Sequence, residues 1–155
     1  MKQLDRRDFL KMAAAGSAAA ATAAALPLSG VLTWIGQDTF AFRAVAGLPK
    51  DPLPTYASLV VEGRVNLDRG TGTVTKSLYA GAPDAMSNIL FPGTARTIQV
   101  TGVHRSGDTI RIVGTIDGDV KLTPRERHDV AIVIDRRLGV AHADFLGSAV
   151  VLRIQ

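Results

Sequence analysis

The chain has no cysteine among its 155 residues. That removes disulfides, thiolate metal sites, iron–sulfur clusters and cysteine nucleophiles together. Beyond residue 38 it also lacks any window with the i, i+3, i+4, i+7 apolar spacing of an amphipathic helix. Glycine and proline recur too often there for long helices. Charge of one sign is nowhere massed. The formal net charge is +4, but Lys2, Arg6, Arg7 and Lys11 against Asp5 and Asp8 put half of that excess in the first 29 residues. The remainder carries 14 basic and 12 acidic side chains, interspersed. A nucleic-acid surface needs a concentrated basic face. Arg125-Glu126-Arg127-His128 and Arg136-Arg137 read instead as solvated loop ends, so no nucleic-acid partner is expected.

Signatures of chemistry are missing as well. His104, His128 and His142 are the only histidines, and none stands in an HxH, HxxxH or HExxH spacing, so no metal site is implied. Leu146-Gly147-Ser148-Ala149 is not a nucleophile elbow. Gly70-Thr71-Gly72 is neither followed by a helix nor part of a P-loop. Asp117-Gly118-Asp119 lacks the further carboxylates of a calcium loop. No cofactor is called for.

What is present begins with Asp5-Arg6-Arg7-Asp8-Phe9-Leu10-Lys11, followed by an alanine-rich run over 12–25. A basic start, an apolar middle without a polar face, and the small residues Ala23-Ala24-Ala25 form the pattern of an export signal. The run is too short and too mildly apolar for a stable span, which needs ~20 strongly apolar residues. Arg6, Arg7, Phe9, Leu10 and Lys11 resemble the leader of bacterial proteins exported by the twin-arginine translocation machinery, with Asp5 where that pattern has Ser or Thr. The resemblance covers roughly the first 30 residues. It implies a helical signal segment over 1–29, recognition by that machinery, and export across the cytoplasmic membrane to the periplasm, cell surface or exterior. Val31-Leu32-Thr33-Trp34-Ile35 could extend the apolar stretch, so an uncleaved, membrane-tethered form is the alternative to a cleaved one. Residues 30–38 read as a linker.

From residue 39 to 155 the period becomes two, and one all-β domain is expected. Leu59, Val61, Gly63, Val65 and Leu67 alternate with Ser58, Glu62, Arg64 and Asn66, with Val60 the exception, so one face is buried and one is wet. Residues 39–45 precede this strand, with Pro49, Pro52 and Pro54 enforcing an extended connection between. Residues 73–79 follow it after a glycine-rich turn. Ile98, Val100 and Gly102 form one face of the next strand, and Ile110, Ile112 and Ile116 answer across the turn at 105–108. Residues 130–134 are nearly continuous in apolar side chains, as in a strand covered on both faces. Two more strands, at 140–145 and 149–154, complete about eight, at the spacing of a barrel or sandwich. The expectation is a single antiparallel domain, a β-barrel in preference to a closed sandwich. The segment 80–93 is irregular yet holds Met86, Ile89, Leu90 and Phe91. It suits either a plug with a short helical turn closing one end or a lid over a cavity.

One local pair carries chemistry. His142 and Asp144 stand at i and i+2 of a strand and so share a face, the carboxylate-beside-imidazole arrangement of many acid–base sites. Joined by Arg64 or Tyr79 across the sheet they would make a catalytic site; on a wet outer face they would do nothing. With no catalytic motif elsewhere, the sequence points first to a non-enzymatic binder of a protein partner or small apolar ligand. The alternative is an accessory subunit co-exported with a cofactor-bearing enzyme, and a His–Asp enzyme comes third. Inward Ile and Leu filling the barrel would argue for a packed module, inward His142, Arg64 or Tyr79 for a site.

Overall fold

The computed structural model describes residues 38–48 and 57–155, with the backbone of residues 33 and 34. The leader over 1–29, with Arg6, Arg7, Phe9, Leu10 and Lys11, and the proline-rich stretch 49–56 lie outside the described residues. Nine strands follow in order: β1 (Thr33–Trp34), β2 (Thr39–Gly47), β3 (Ala57–Asn66), β4 (Thr71–Ala80), β5 (Arg96–Ser106), β6 (Thr109–Ile116), β7 (Asp129–Asp135), β8 (Val140–Phe145) and β9 (Ser148–Ile154). There is no helix among the described residues. Each strand pairs antiparallel with the next. β2 also pairs with β9 through Ala44↔Ile154 and Val45↔Arg153, which closes β2 to β9 into an eight-stranded barrel. β1, inside the stretch read as a linker, lies on the same edge of β2, opposite Phe40 and Ala41.

Eight strands enclose a space just wide enough for side chains to fill or for one small ligand. Here side chains fill it. Phe40, Leu59, Val61, Val65, Val74, Ile98, Ile110, Ile112, Ile132, Ile134 and Leu152 are all essentially inaccessible to solvent. The Phe40 and Phe42 rings stack with centroids 5.8 Å apart. Phe42 lies over Gly63, where a Cβ would come within 2.9 Å of its ring and 2.7 Å of Val74, so the ring occupies the volume that a larger residue would need.

Three expectations are corrected. Val130, Ile132 and Ile134 are buried, but Ala131 is exposed and Val133 half-buried, so β7 is covered on its inner face only. Gly102 does not share a face with Ile98 and Val100. A bulge leaves Thr101 as the extra residue between Val100 and Gly102, which turns Val103 towards the core. Ser58, read as wet, is fully buried although it lies on the outer face with Val60. Its hydroxyl donates to the Gly81 carbonyl at 2.8 Å.

The two ends differ. At one, β3–β4, β5–β6 and β7–β8 are joined by tight turns. At the other lie the end of β2, the start of β3, the segment 81–95, the connection 117–128 and the turn at Leu146–Gly147. The segment 80–93 forms neither a helical turn nor an apolar plug. It runs back along β4, bridging Tyr79 to Leu90, with Ala80 N–H to Ile89 O at 3.0 Å and Phe91 N–H to Leu78 O at 2.9 Å. Ile89 and Leu90 are left 68% and 40% exposed.

Candidate functional site

Charge enters the long-loop half of the lumen among apolar side chains, where Leu59, Phe145, Leu78 and Leu122 also pack. The alternation that puts Val74 inward on β4 puts Lys76 inward too, and the register sets it directly beside Arg96, the first residue of β5. Both side chains are 2% exposed. Two cations cannot be buried side by side without partners. Arg96 is answered by Glu126 from the 117–128 connection, with Nε donating to Oε1 at 2.7 Å and Nη2 to Oε2 at 3.0 Å. Its Nη1 donates to the carbonyls of Gly93 at 2.8 Å and Ala95 at 2.9 Å. Lys76 extends across the lumen and donates to the carbonyl oxygen of Asp144 on β8, the strand four places away in either direction around the barrel.

Electrostatics follow the burial. Burial would raise the Glu126 carboxyl, but the Arg96 hydrogen bonds, the Thr123 N–H at 3.2 Å and the nearby cations outweigh it and hold it below the ordinary value. Burial lowers the Lys76 ammonium. The charges of Asp144 and Glu126 oppose that shift, and Arg96 adds to it. A buried lysine in a cluster of charged groups inside a barrel is a candidate functional position.

The 117–128 connection is seated by neighbouring residues acting on different walls. While Glu126 grips β5, Arg125 packs on Gly147 in the β8–β9 turn, where an added Cβ would come within 2.3 Å of the Arg125 Cβ. Both residues of that turn, Leu146 and Gly147, have positive φ, 51° and 85°, as a two-residue hairpin of type I′ requires.

His142 and Asp144 both point outward from β8 and are exposed. No hydrogen bond or ion pair joins them among the described residues. Instead the Asp144 carboxylate accepts the Gly147 N–H at 3.0 Å, a turn-forming role. His142 sits between Val133 and Val151 across β7–β8–β9, on a shallow outer groove of about 260 Å³ lined also by Ala131 and Ala149. Arg64 is exposed on β3, and Tyr79 is half-buried on the outside of β4, the strand opposite β8. The structure therefore does not bring Arg64 or Tyr79 to His142. His104 and His128 are exposed at separate places, and no three metal-ligating side chains cluster among the described residues.

Lys76, Arg96 and Glu126 are the residues that sequence reasoning missed. A signal existed for one of them, because Lys76 stands midway between Val74 and Leu78 on the inward parity of β4. No family model, curated protein or solved structure matches the chain.

Proposed function

We propose that the protein is an exported, non-enzymatic binding module that takes a small, largely apolar ligand at the long-loop end of its barrel. The observation that carries this reading is the asymmetry of an otherwise filled barrel. Its longer connections, its buried charges and the exposed apolar pair Ile89–Leu90 gather at one end, while the other end is sewn shut by tight turns. Loops at one end of a rigid scaffold are where binding residues concentrate. Because Ile98, Ile112, Val74 and Phe40 fill the lumen beneath, the ligand is held at the rim rather than deep inside. The outward, unlinked positions of His142 and Asp144 favour binding over catalysis, and the leader supplies the address.

The test is titration of the full chain with 1-anilinonaphthalene-8-sulfonate, an apolar fluorescent probe. Ile89→Asp with Leu90→Asp should weaken binding by about tenfold, the effect of ~1.4 kcal/mol. Leu138→Asp, at an equally exposed residue of the tight-turn end, should leave it unchanged. Equal effects from both ends would overturn the reading.

The outer groove beside His142, with Val151 58% exposed, favours a second reading, that of an accessory subunit that docks on a partner enzyme. Val151→Glu would then abolish assembly while leaving the probe titration untouched.

A further inference from the structure

We propose that the Arg96 guanidinium is the receiving position for the carboxylate of a small monocarboxylic acid with an apolar tail, and that Glu126 fills it as an internal stand-in. This rests on the reading of the long-loop end as the mouth.

Arg96 is a prepared fork. Two of its donors are committed to Gly93 O and Ala95 O, which fixes the guanidinium plane, and the Nε and Nη2 edge faces the carboxylate. A planar two-donor edge matches a carboxylate bidentately, and because it is already immobilised little ordering is lost on binding. The group that now occupies it belongs to a connection rather than to a strand. Among the described residues the Glu126–Arg96 pair is the only hydrogen-bonded link between 118–127 and the barrel wall. The other bonds of Glu126, its N–H to Thr123 O at 3.0 Å and its Oε2 from Thr123 N, are internal to the connection. Glu126 can leave without breaking a strand ladder.

With Glu126 seated, Arg96 and Lys76 are both 2% exposed; its departure removes the one carboxylate bonded to the fork, and an incoming anion restores the pairing that two inward cations favour. The group that fits is a carboxylate, because Glu126 supplies one and the two parallel donors of the fork match its two oxygens. Lys76 strengthens the selection. It is the cross-strand neighbour of Arg96, and its ammonium carries three donors, of which the described residues accept one, at Asp144 O. The tail is read from the rim. Arg96 is bonded, through Gly93 O, to the same loop that presents Ile89 and Leu90 to solvent, and that apolar pair is the surface assigned to the tail.

The experiment uses the full chain, with octanoate, octanol and inorganic phosphate as probes, followed by thermal melting and by isothermal titration. Glu126→Ala removes the internal competitor, and octanoate should then bind about tenfold more tightly than to the parent and raise the melting temperature saturably. Arg96→Met with Glu126→Ala should lose that response. Should Glu126→Ala fail to fold, Glu126→Gln keeps the shape and removes the charge, and the same ordering of affinities is expected. Equal octanoate affinity in parent and variant, or binding that survives loss of Arg96, overturns the proposal. Octanol binding as well as octanoate overturns the carboxylate assignment while leaving the apolar mouth standing, and no saturable response to either sinks both. Phosphate matching octanoate overturns the carboxylate assignment.

Discussion

Lys76 reaches from β4 to the main-chain oxygen of Asp144 on the facing strand β8, tying opposite walls of the barrel at the level of its charged layer. A salt bridge would stay with its partner side chain, but this contact holds the backbone itself. The ammonium is buried, and its pKa is depressed chiefly by that burial.

The depressed pKa fixes a sign. Unfolded, Lys76 binds its proton up to its ordinary value near 10.5; folded, it gives the proton up earlier. In that window the unfolded state holds more protons, so stability contributed at this position increases as pH rises towards 10.5. The stability of the parent relative to Lys76→Met should therefore grow as pH rises through the alkaline range towards 10.5. Urea melts of both proteins across that range give the difference, in which other titrations cancel. A flat difference would show that Lys76 holds its proton equally well folded and unfolded.

Gly147 and Gly107 make a matched pair. Both have positive φ, 85° and 55°, but a Cβ at Gly107 meets nothing within 4 Å while one at Gly147 strikes Arg125. Gly107→Ala should cost the ~1–2 kcal/mol of a left-handed non-glycine residue. Gly147→Ala should cost that plus a further ~1–3 kcal/mol of overpacking, and it should lift the 117–128 connection. Denaturant midpoints, with the rate of tryptic cleavage at Arg125 and Arg127, provide the comparison. Equal midpoints and equal cleavage would mean that the connection does not rest on the turn.

Much of this fold was legible in the sequence. The alternation through Leu59, Val61, Gly63 and Val65, and through Ile110, Ile112 and Ile116, assigns the inner face correctly because the filled lumen dries that side and period two reports it; it does not report the cover that buries Val45, Ser58 and Val60 on the outside. The bulge at Thr101 was hidden, since an unpaired residue carries no distinctive side chain and its effect is a change of phase downstream. The site was less legible for a different reason. Charged residues are almost never fully buried unless paired, and the partner of Arg96 lies 30 residues along the chain in a polar connection. Neither Arg96 nor Glu126 looks internal alone; only the register of β4 against β5 brings them inside with Lys76.

The last strand is expected to be indispensable. Leu152 is wholly buried, with Val150 and Ile154 packed against the core, and full burial of one such side chain is worth about 1.5–3 kcal/mol. Deleting residues 150–155 also removes the closure with β2 and leaves strand edges open to intermolecular pairing. Soluble monomer should be lost, as read by size-exclusion chromatography, whereas removal of residues 1–29 should leave it intact. A monomeric deletion variant melting within a few degrees of the parent would contradict the closed barrel.

For the address, Arg6→Lys with Arg7→Lys should hold the protein in the cytoplasm, still folded. Cell fractionation measures this, and undiminished export would remove the twin-arginine reading.

The pairing of β2 with β9 sets an order of events. Every other strand pair joins neighbours in sequence and can form as soon as both strands exist. Ala44 meets Ile154 only when nearly the whole chain is available, and closing so large a loop is the entropically expensive step. A nascent chain from which β9 has yet to emerge can assemble a curled sheet but not a closed cylinder. Two raw edges then persist until β9 docks. The closing strand, rather than any of the hairpins before it, therefore sets the earliest moment at which the domain exists as one sealed body.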